Sequence, residues 1–288
     1  MKIRTAIIPV AGLGTRFLPI TKVVPKELLP LVDRPIIEYI IEEAKESGIR
    51  RIILVNSRGK SATEDYFDYE FDEVRFAHKK HLLERSHAIA RDMEIMAVRQ
   101  KRALGLGHAI LCAKHLVENE SFAVLLGDDV IDASPACTRQ LIEVHEANGG
   151  APVVGVMEVE KSEVNKYGIV GGTRMGDNLT LVDRLVEKPE PAHAPSQLAI
   201  PGRYILTPAI FPLLERATPG VGGEIQLTDA LALLAKQTKL YAFRFKGQRF
   251  DAGHQLGFLE ANLHYALKRP ELREGSIALI RRLLEKSQ

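Results

Sequence analysis

The stretch VAGLGTRFLPITKVVPKELLP, residues 10–30, follows directly on a short apolar run, IRTAIIPV at 3–10. Gly12 and Gly14 stand one residue apart, and Pro19, Pro25 and Pro30 forbid a long helix. Arg16, Lys22 and Lys26 make the loop basic. Glycines let backbone N–H groups approach an anion closely and adopt turns closed to other residues. A buried strand running into a stiff, cationic glycine turn therefore reads as a phosphate cradle. A dinucleotide-binding loop would need a third glycine where Phe17 stands, and the Walker pattern G-x-x-x-x-G-K-[ST] is absent.

Working outward, apolar runs alternate with helical patterns. PIIEYIIEEAKESG (35–48) has the 3.6-residue period of a helix, with Pro35 at its start and Gly48 at its end. RIILVNS (51–57) reads as a strand and ATEDYFDY (62–69) as helical. Residues 73–92 are charged and histidine-rich, either a solvated helix or a mobile excursion. EIMAVRQ (94–100), SFAVLLGDD (121–129) and APVVGVMEV (151–159) are strands; GLGHAILCAKHLV (105–117) and PACTRQLIEVHEANG (135–149) supply helices. This alternation predicts a Rossmann-like α/β fold, with a mixed, mainly parallel central sheet flanked by helices. Such sheets bind ligands at the carboxyl ends of their strands, where residues 11–16, 100–108 and 127–129 fall. Beyond residue 160, closely spaced short runs with glycine turns predict an inserted antiparallel part. LAIPGRYILTP (198–208) reads as one strand, GEIQLTDALALLAKQ (223–237) as a capped helix, and KLYAFRF and RFDAG as strands. A C-terminal helical extension covers 254–286.

Composition narrows the partners. Over 288 residues, 39 Lys plus Arg nearly cancel 37 Asp plus Glu, so nothing calls for nucleic acid or a membrane surface. No run reaches the ~18 apolar residues of a membrane span, and Pro9 and Gly12 break the N-terminal run too early for a signal peptide. Cys112 and Cys137 fit neither a disulfide framework nor a zinc motif, and both lie in apolar surroundings. The expected compartment is the reducing cytoplasm. His78, His81 and His87 show no ligand spacing, and no convincing Ser–His–Asp or Cys–His arrangement is present.

The extended loop AGLGTRFLPITKVVPKELLPLVDRPIIEY resembles the signature of the sugar-1-phosphate nucleotidyltransferases, in particular their bacterial UTP–glucose-1-phosphate uridylyltransferase branch. Further matching stretches are VRQKRALGLGHAILCA (98–113), LLGDDV (125–130), YGIV (167–170), VEKP (186–189), LAIPGRY (198–204), GEIQLTDA (223–230) and FDAGHQLGFLEA (250–261). The resemblance implies a catalytic domain over 1–268, with a nucleotide-binding half of about 1–160 and a sugar-binding half of about 161–253. The extension, 254–288, would then be available as an interface of a homo-oligomer, a dimer or tetramer.

The implied reaction joins UTP and glucose 1-phosphate into UDP-glucose and pyrophosphate, with Mg²⁺ as cofactor. A phosphate oxygen of the sugar attacks the α-phosphorus in line. By the same resemblance Arg16, Lys26 and Lys188 are catalytic, and Ala11, Gly12, Gly14, Thr15, Gln100 and Gly105 bind the nucleotide with Arg16 and Lys26. Asp129 and Asp251 hold the metal, and Asp128 is a partner behind it or a helix cap. Gly168, Glu187, Lys188 and Gly202 face the sugar phosphate; Glu224 either joins them or sits in a first helical turn. Many relatives carry Lys where this chain has Gln255, which removes one cation. A thymidylyltransferase on the same sugar phosphate, or a weakly active regulatory paralogue, is the alternative.

Overall fold

The computed structural model describes residues 2–68, 75–117 and 119–286. Tyr69 of the expected helical stretch at 62–69, and residues 73–74 of the charged stretch, lie outside these. The first half runs β1 Thr5–Pro9, β2 Pro30–Leu31, β3 Arg34–Pro35, α1 Ile36–Glu46, β4 Arg51–Asn56, α2 Ala62–Asp65, α3 Lys80–Asp92, β5 Glu94–Arg99, α4 Leu106–Cys112, β6 Phe122–Leu125, β7 Asp129–Asp132, α5 Cys137–Ala147 and β8 Val153–Glu158. The second half runs β9 Gly168–Arg174, β10 Leu179–Glu187, β11 Leu198–Ile200, β12 Arg203–Leu206, α6 Ile210–Arg216, α7 Leu227–Gln237, β13 Tyr241–Arg244, β14 Gln248–Asp251, α8 Gln255–Lys268 and α9 Pro270–Lys286.

Ten strands form one sheet in the order β11-β9-β10-β13-β8-β12-β6-β1-β4-β5. β1 is parallel to both β4 and β6, and β4 to β5, as the strand–helix alternation requires. β8 and β13 are also parallel, whereas β9 to β12 join antiparallel. The antiparallel part is thus an extension of the same sheet. Helices cover both faces, so the central strands β1 and β6 are apolar along nearly their whole length. In β1, Ala6 and Ile8 pack with α1 and α5 on one side, and Ile7 packs with α4, α6 and α7 on the other.

Some boundaries differ from the sequence reading. The run 198–208 is two strands, because Pro201 has no N–H to give and Gly202 turns the chain at φ 140°. β11 consequently pairs with β9 and β8, and β12 with β6 and β8. The helix expected from 223 begins at Leu227, leaving Glu224 and Gln226 extended. The charged stretch does contain a helix, α3, which buries His87 and Ile89 and exposes most of its other residues. In the extension, α8 buries Gly257 and Ala261, while α9 buries nothing and packs on α8. Among the described residues no helix is long and apolar enough to cross a membrane.

Candidate active site

After β1 the chain turns at Gly14, whose φ of 64° is open to glycine without strain. Three single 3₁₀ turns follow, Thr15–Phe17, Ile20–Lys22 and Lys26–Leu28, each beginning or ending near a proline. The Thr21 hydroxyl donates to the Gly14 carbonyl (2.7 Å) and closes the first turn. Glu27 anchors the loop from beneath. It is fully buried and accepts from Lys60 Nζ (3.1 Å to each oxygen) and from the Thr63 hydroxyl (3.1 Å). Lys60 also donates to the Val10 carbonyl (2.7 Å). With Glu27 fixed, the adjacent Lys26 is held beside the glycine turn. Its Nζ lies 3.5 Å from where a Cβ on Gly12 would stand, and it pairs with Asp128. Burial works against the Lys26 charge, yet Asp128 holds its pKa above the ordinary value. Asp128 lies in the turn between β6 and β7, so it caps no helix.

β7 and β14 pair antiparallel in a separate ribbon that sets Asp129 opposite Asp251. The two expected metal ligands, far apart in sequence, are cross-strand neighbours. Arg249 shares the Asp251 face by the two-residue period of a strand. Its guanidinium pairs with Asp129, reaches Asp251 (3.3 Å) and donates to the Tyr167 hydroxyl (3.1 Å). Beneath them the fully buried Arg203 pairs with Glu43 (2.7 Å) and donates to the Asp129 carbonyl (2.7 Å). Glu43 also accepts from the backbone and hydroxyl of Thr138 (3.0 and 2.6 Å). Burial, with Asp128 and Asp251 nearby, pushes the Asp129 pKa up to about 7 against the pull of Arg249.

β10 ends at Glu187, opposite Gly168 on β9. The Thr228 hydroxyl donates to Glu187 (2.6 Å), and a Cβ on Gly168 would meet that hydroxyl at 2.8 Å, so glycine is required for the pair to form. Lys188 follows with φ 45°, unusual for a residue with a side chain, and its N–H donates to the Tyr167 carbonyl (2.9 Å). Its ammonium is 3.6 Å from Glu187.

These groups surround one cleft of about 1170 Å³, whose lining includes Arg16, Asp129, Gly168, Glu187, Lys188, Glu224 and Asp251. The remaining expected residues are not part of that lining. Ala11 is buried, and Gly12, Gly14, Thr15 and Lys26 belong to the loop that carries Arg16. Gln100 is buried and donates to the Gly105 carbonyl (3.0 Å), holding the loop before α4 closed. Gly105 packs on Glu224, and Gly202 on Leu126. Gln255 is exposed and its amide donates to the Arg16 carbonyl, so it touches the loop without supplying a cation. Sequence reasoning missed Arg249, Tyr167, Thr228 and Arg203. The signal for Arg249 was present: R-F-D places Arg and Asp on one face of a strand.

The donor set suits a hard divalent cation. Asp129 and Asp251 offer carboxylate oxygens, Asp128 is taken by Lys26, and among the described residues no cluster of three or more metal-binding side chains forms. A cation held by two carboxylates must complete its shell from phosphate and water, as Mg²⁺ commonly does.

A cationic turn at the end of a parallel strand, facing an aspartate pair across a polar cleft, defines a protein that handles phosphate esters. The chain belongs to the nucleotidyl transferase family, whose profile matches residues 5–268. It is 46% identical over 285 residues to a UTP–glucose-1-phosphate uridylyltransferase of Staphylococcus epidermidis, covering 98% of this chain and 99% of that one. It superposes on a UDP-glucose pyrophosphorylase complexed with UDP-glucose, with TM-score 0.86 and 42% identity, covering 93% of this chain and 100% of that one. A UTP-bound UGPase from Acinetobacter baumannii gives TM-score 0.87 and 41% identity, covering 98% of this chain and 99% of that one.

Proposed function

We infer that the protein forms UDP-glucose and pyrophosphate from UTP and glucose 1-phosphate. The observation that carries this is the convergence of Arg16, the Asp129–Asp251 pair and Glu187–Lys188 on one cleft, in a chain so similar to uridylyltransferases over nearly its whole length. The attacking group, a sugar phosphate, is already an anion. No general base is needed, and catalysis is alignment with charge neutralisation.

In this reading Arg16 and Lys26 hold the triphosphate and the departing pyrophosphate. The glycine turn, from Ala11 through Thr15, offers backbone donors at close range. Gln100 and Gly105 shape the base end through the hydrogen bond between them. Glu187 accepts from sugar hydroxyls, kept in place by Thr228, and Lys188 meets the sugar phosphate. Gly168 gives the room that this pair needs, while Gly202 and Glu224 complete the walls. Asp129 and Asp251 would hold Mg²⁺, which supplies charge neutralisation between the two phosphate groups. Two such charges ~4 Å apart at an effective dielectric of ~20 repel by ~4 kcal/mol, the scale of the obstacle. The setting is the cytoplasm, where free Cys112 and Cys137 remain thiols. We further propose that residues 1–268 form the catalytic domain and that the chain works as a homo-oligomer. Leu279, Leu283 and Leu284, exposed on α9, support an interface there.

The test is pyrophosphate release over a grid of nucleoside triphosphates and sugar 1-phosphates. UTP with glucose 1-phosphate should lead; equal use of ATP and UTP would overturn the reading. A lead for dTTP would instead favour the thymidylyl alternative.

A further inference from the structure

Arg249 is the cation nearest the aspartate pair. Its side chain is only 11% exposed, and Asp129 Oδ1 accepts from both Nε and Nη2. Nη2 also reaches Asp251 Oδ2 (3.3 Å). A guanidinium and a divalent ion compete for the same carboxylate oxygen, Asp129 Oδ1, and for the negative charge of the pair. Arg249 has a second hold on the other side. Nη1 donates to the Tyr167 hydroxyl (3.1 Å), and the guanidinium lies 5.5 Å from the centre of that ring. The Tyr167 carbonyl in turn accepts from the Lys188 N–H (2.9 Å), so this second hold adjoins the Glu187–Lys188 side of the cleft.

We propose that Arg249 is a resident competitor for the divalent cation: the ion is taken up in exchange for the guanidinium, which swings about Tyr167 toward the sugar-phosphate side. Counting charge makes the exchange directional. Lys26 already balances Asp128, and Arg249 balances one of the two remaining carboxylates. An ion added without moving Arg249 would leave the pair with excess positive charge. Moving Arg249 leaves a neutral ion–carboxylate group and delivers a cation to where a phosphate is expected. Ion uptake is therefore weak alone and strengthens once substrate phosphates offer further oxygens. The proposal rests on the reading that Asp129 and Asp251 hold the ion.

The test measures Mn²⁺ binding, by the electron paramagnetic resonance of free Mn²⁺, to the full chain stripped of divalent ions. Wild type, Arg249→Met, Arg249→Gln and Asp129→Asn are compared at about pH 8, above the ordinary carboxylate range. Arg249→Met should bind Mn²⁺ at least ~10-fold more tightly than wild type, the scale of one charge-assisted contact. Its unfolding midpoint should also rise more on adding Mn²⁺. Arg249→Gln, which keeps polarity and serves if the Met variant does not fold, should move the same way. Adding UTP should narrow the gap to wild type. Unchanged or weaker binding in both Arg249 variants, with Asp129→Asn impaired, would leave the metal reading standing and overturn the competition. Undiminished Mn²⁺ binding by Asp129→Asn would overturn the metal reading and the proposal with it.

Discussion

Asp129 lies opposite Asp251, accepts from Arg249 through its side chain and from Arg203 through its carbonyl. Asn keeps its size and removes its charge. Asp129→Asn and Asp251→Asn should each lower turnover by at least ~10²–10³ and raise the Mg²⁺ concentration for half activity. If the two carboxylates share one ion, the double variant should lose far less than the product of the singles. Losses that multiply, or an Asp251→Asn enzyme with unaltered Mg²⁺ dependence, would rule out a shared ion. Arg16 is the contrasting residue: it is exposed, and among the described residues its guanidinium makes no ion pair. Arg16→Ala should therefore lower turnover by a similar ~10²–10³ while changing unfolding free energy by no more than ~0.5 kcal/mol. A large stability loss would mean that Arg16 serves the fold. Lys188 differs again, since it lines the cleft beside Glu187 from a backbone held at positive φ. Lys188→Ala should raise KM for glucose 1-phosphate much more than for UTP, and an effect confined to UTP would displace it from that role.

At the scale of elements, the β7–β14 ribbon sets Asp129 beside Asp251, and one buried ion pair lies beneath it. Arg203 on β12 and Glu43 on α1 are linked across 160 residues, and Arg203 reaches the Asp129 carbonyl from that base. Removing one partner of a buried pair strands the other charge in the core. Glu43→Gln or Arg203→Met should each cost ~3–5 kcal/mol, measured by urea unfolding, whereas replacing both with apolar residues should cost much less. Two single losses that simply add would mean the pair is not a unit. The ribbon also shows where sequence reading stops. Strand β14 was legible because Gln248–Asp251 follows a strand pattern and precedes a glycine turn. β7 was not, because Asp129–Asp132 continues an apolar run already assigned to β6, and only the turn at Gly127–Asp128 separates them. Period and composition cannot report that turn, nor that Arg249 would reach diagonally to Asp129. The start of α7 was misplaced for a related reason. Ile225, between Glu224 and Gln226, accepts from the Gly107 N–H (2.9 Å) and donates to the Leu104 carbonyl (2.8 Å), a tertiary contact that overrides local helix propensity.

In the molecule as a whole, α8 links parts that the sheet leaves separate, although it was read only as the start of an extension. Its first residue, Gln255, holds the Arg16 carbonyl, and Asn262 accepts from the Val32 N–H (2.8 Å) in the β2–β3 turn. Near its end Lys268 (2.8 Å) and His264 (2.6 Å) grip Asp132 at the far end of β7. One helix therefore ties the Arg16 loop, the hairpin after it and the strand of Asp129 together. Burial opposes the Asp132 charge, but Lys268 and His264 prevail and hold its pKa below the ordinary carboxylate value. A carboxylate depressed in the folded state adds stability above its unfolded pKa of about 3.9 and loses that contribution as pH falls through the lower folded value. Asp132→Asn removes the titrating group and the contribution together. The unfolding free energies of wild type and variant, taken from urea curves between about pH 7 and about pH 2.5, should differ most at the neutral end and converge on acidification. Loss of the α8 grip should carry the Arg16 loop with it, so proteolysis within residues 13–24 should accelerate in Asp132→Asn at neutral pH. A gap that stays constant or widens as pH falls would show that Asp132 does not hold α8 by its charge.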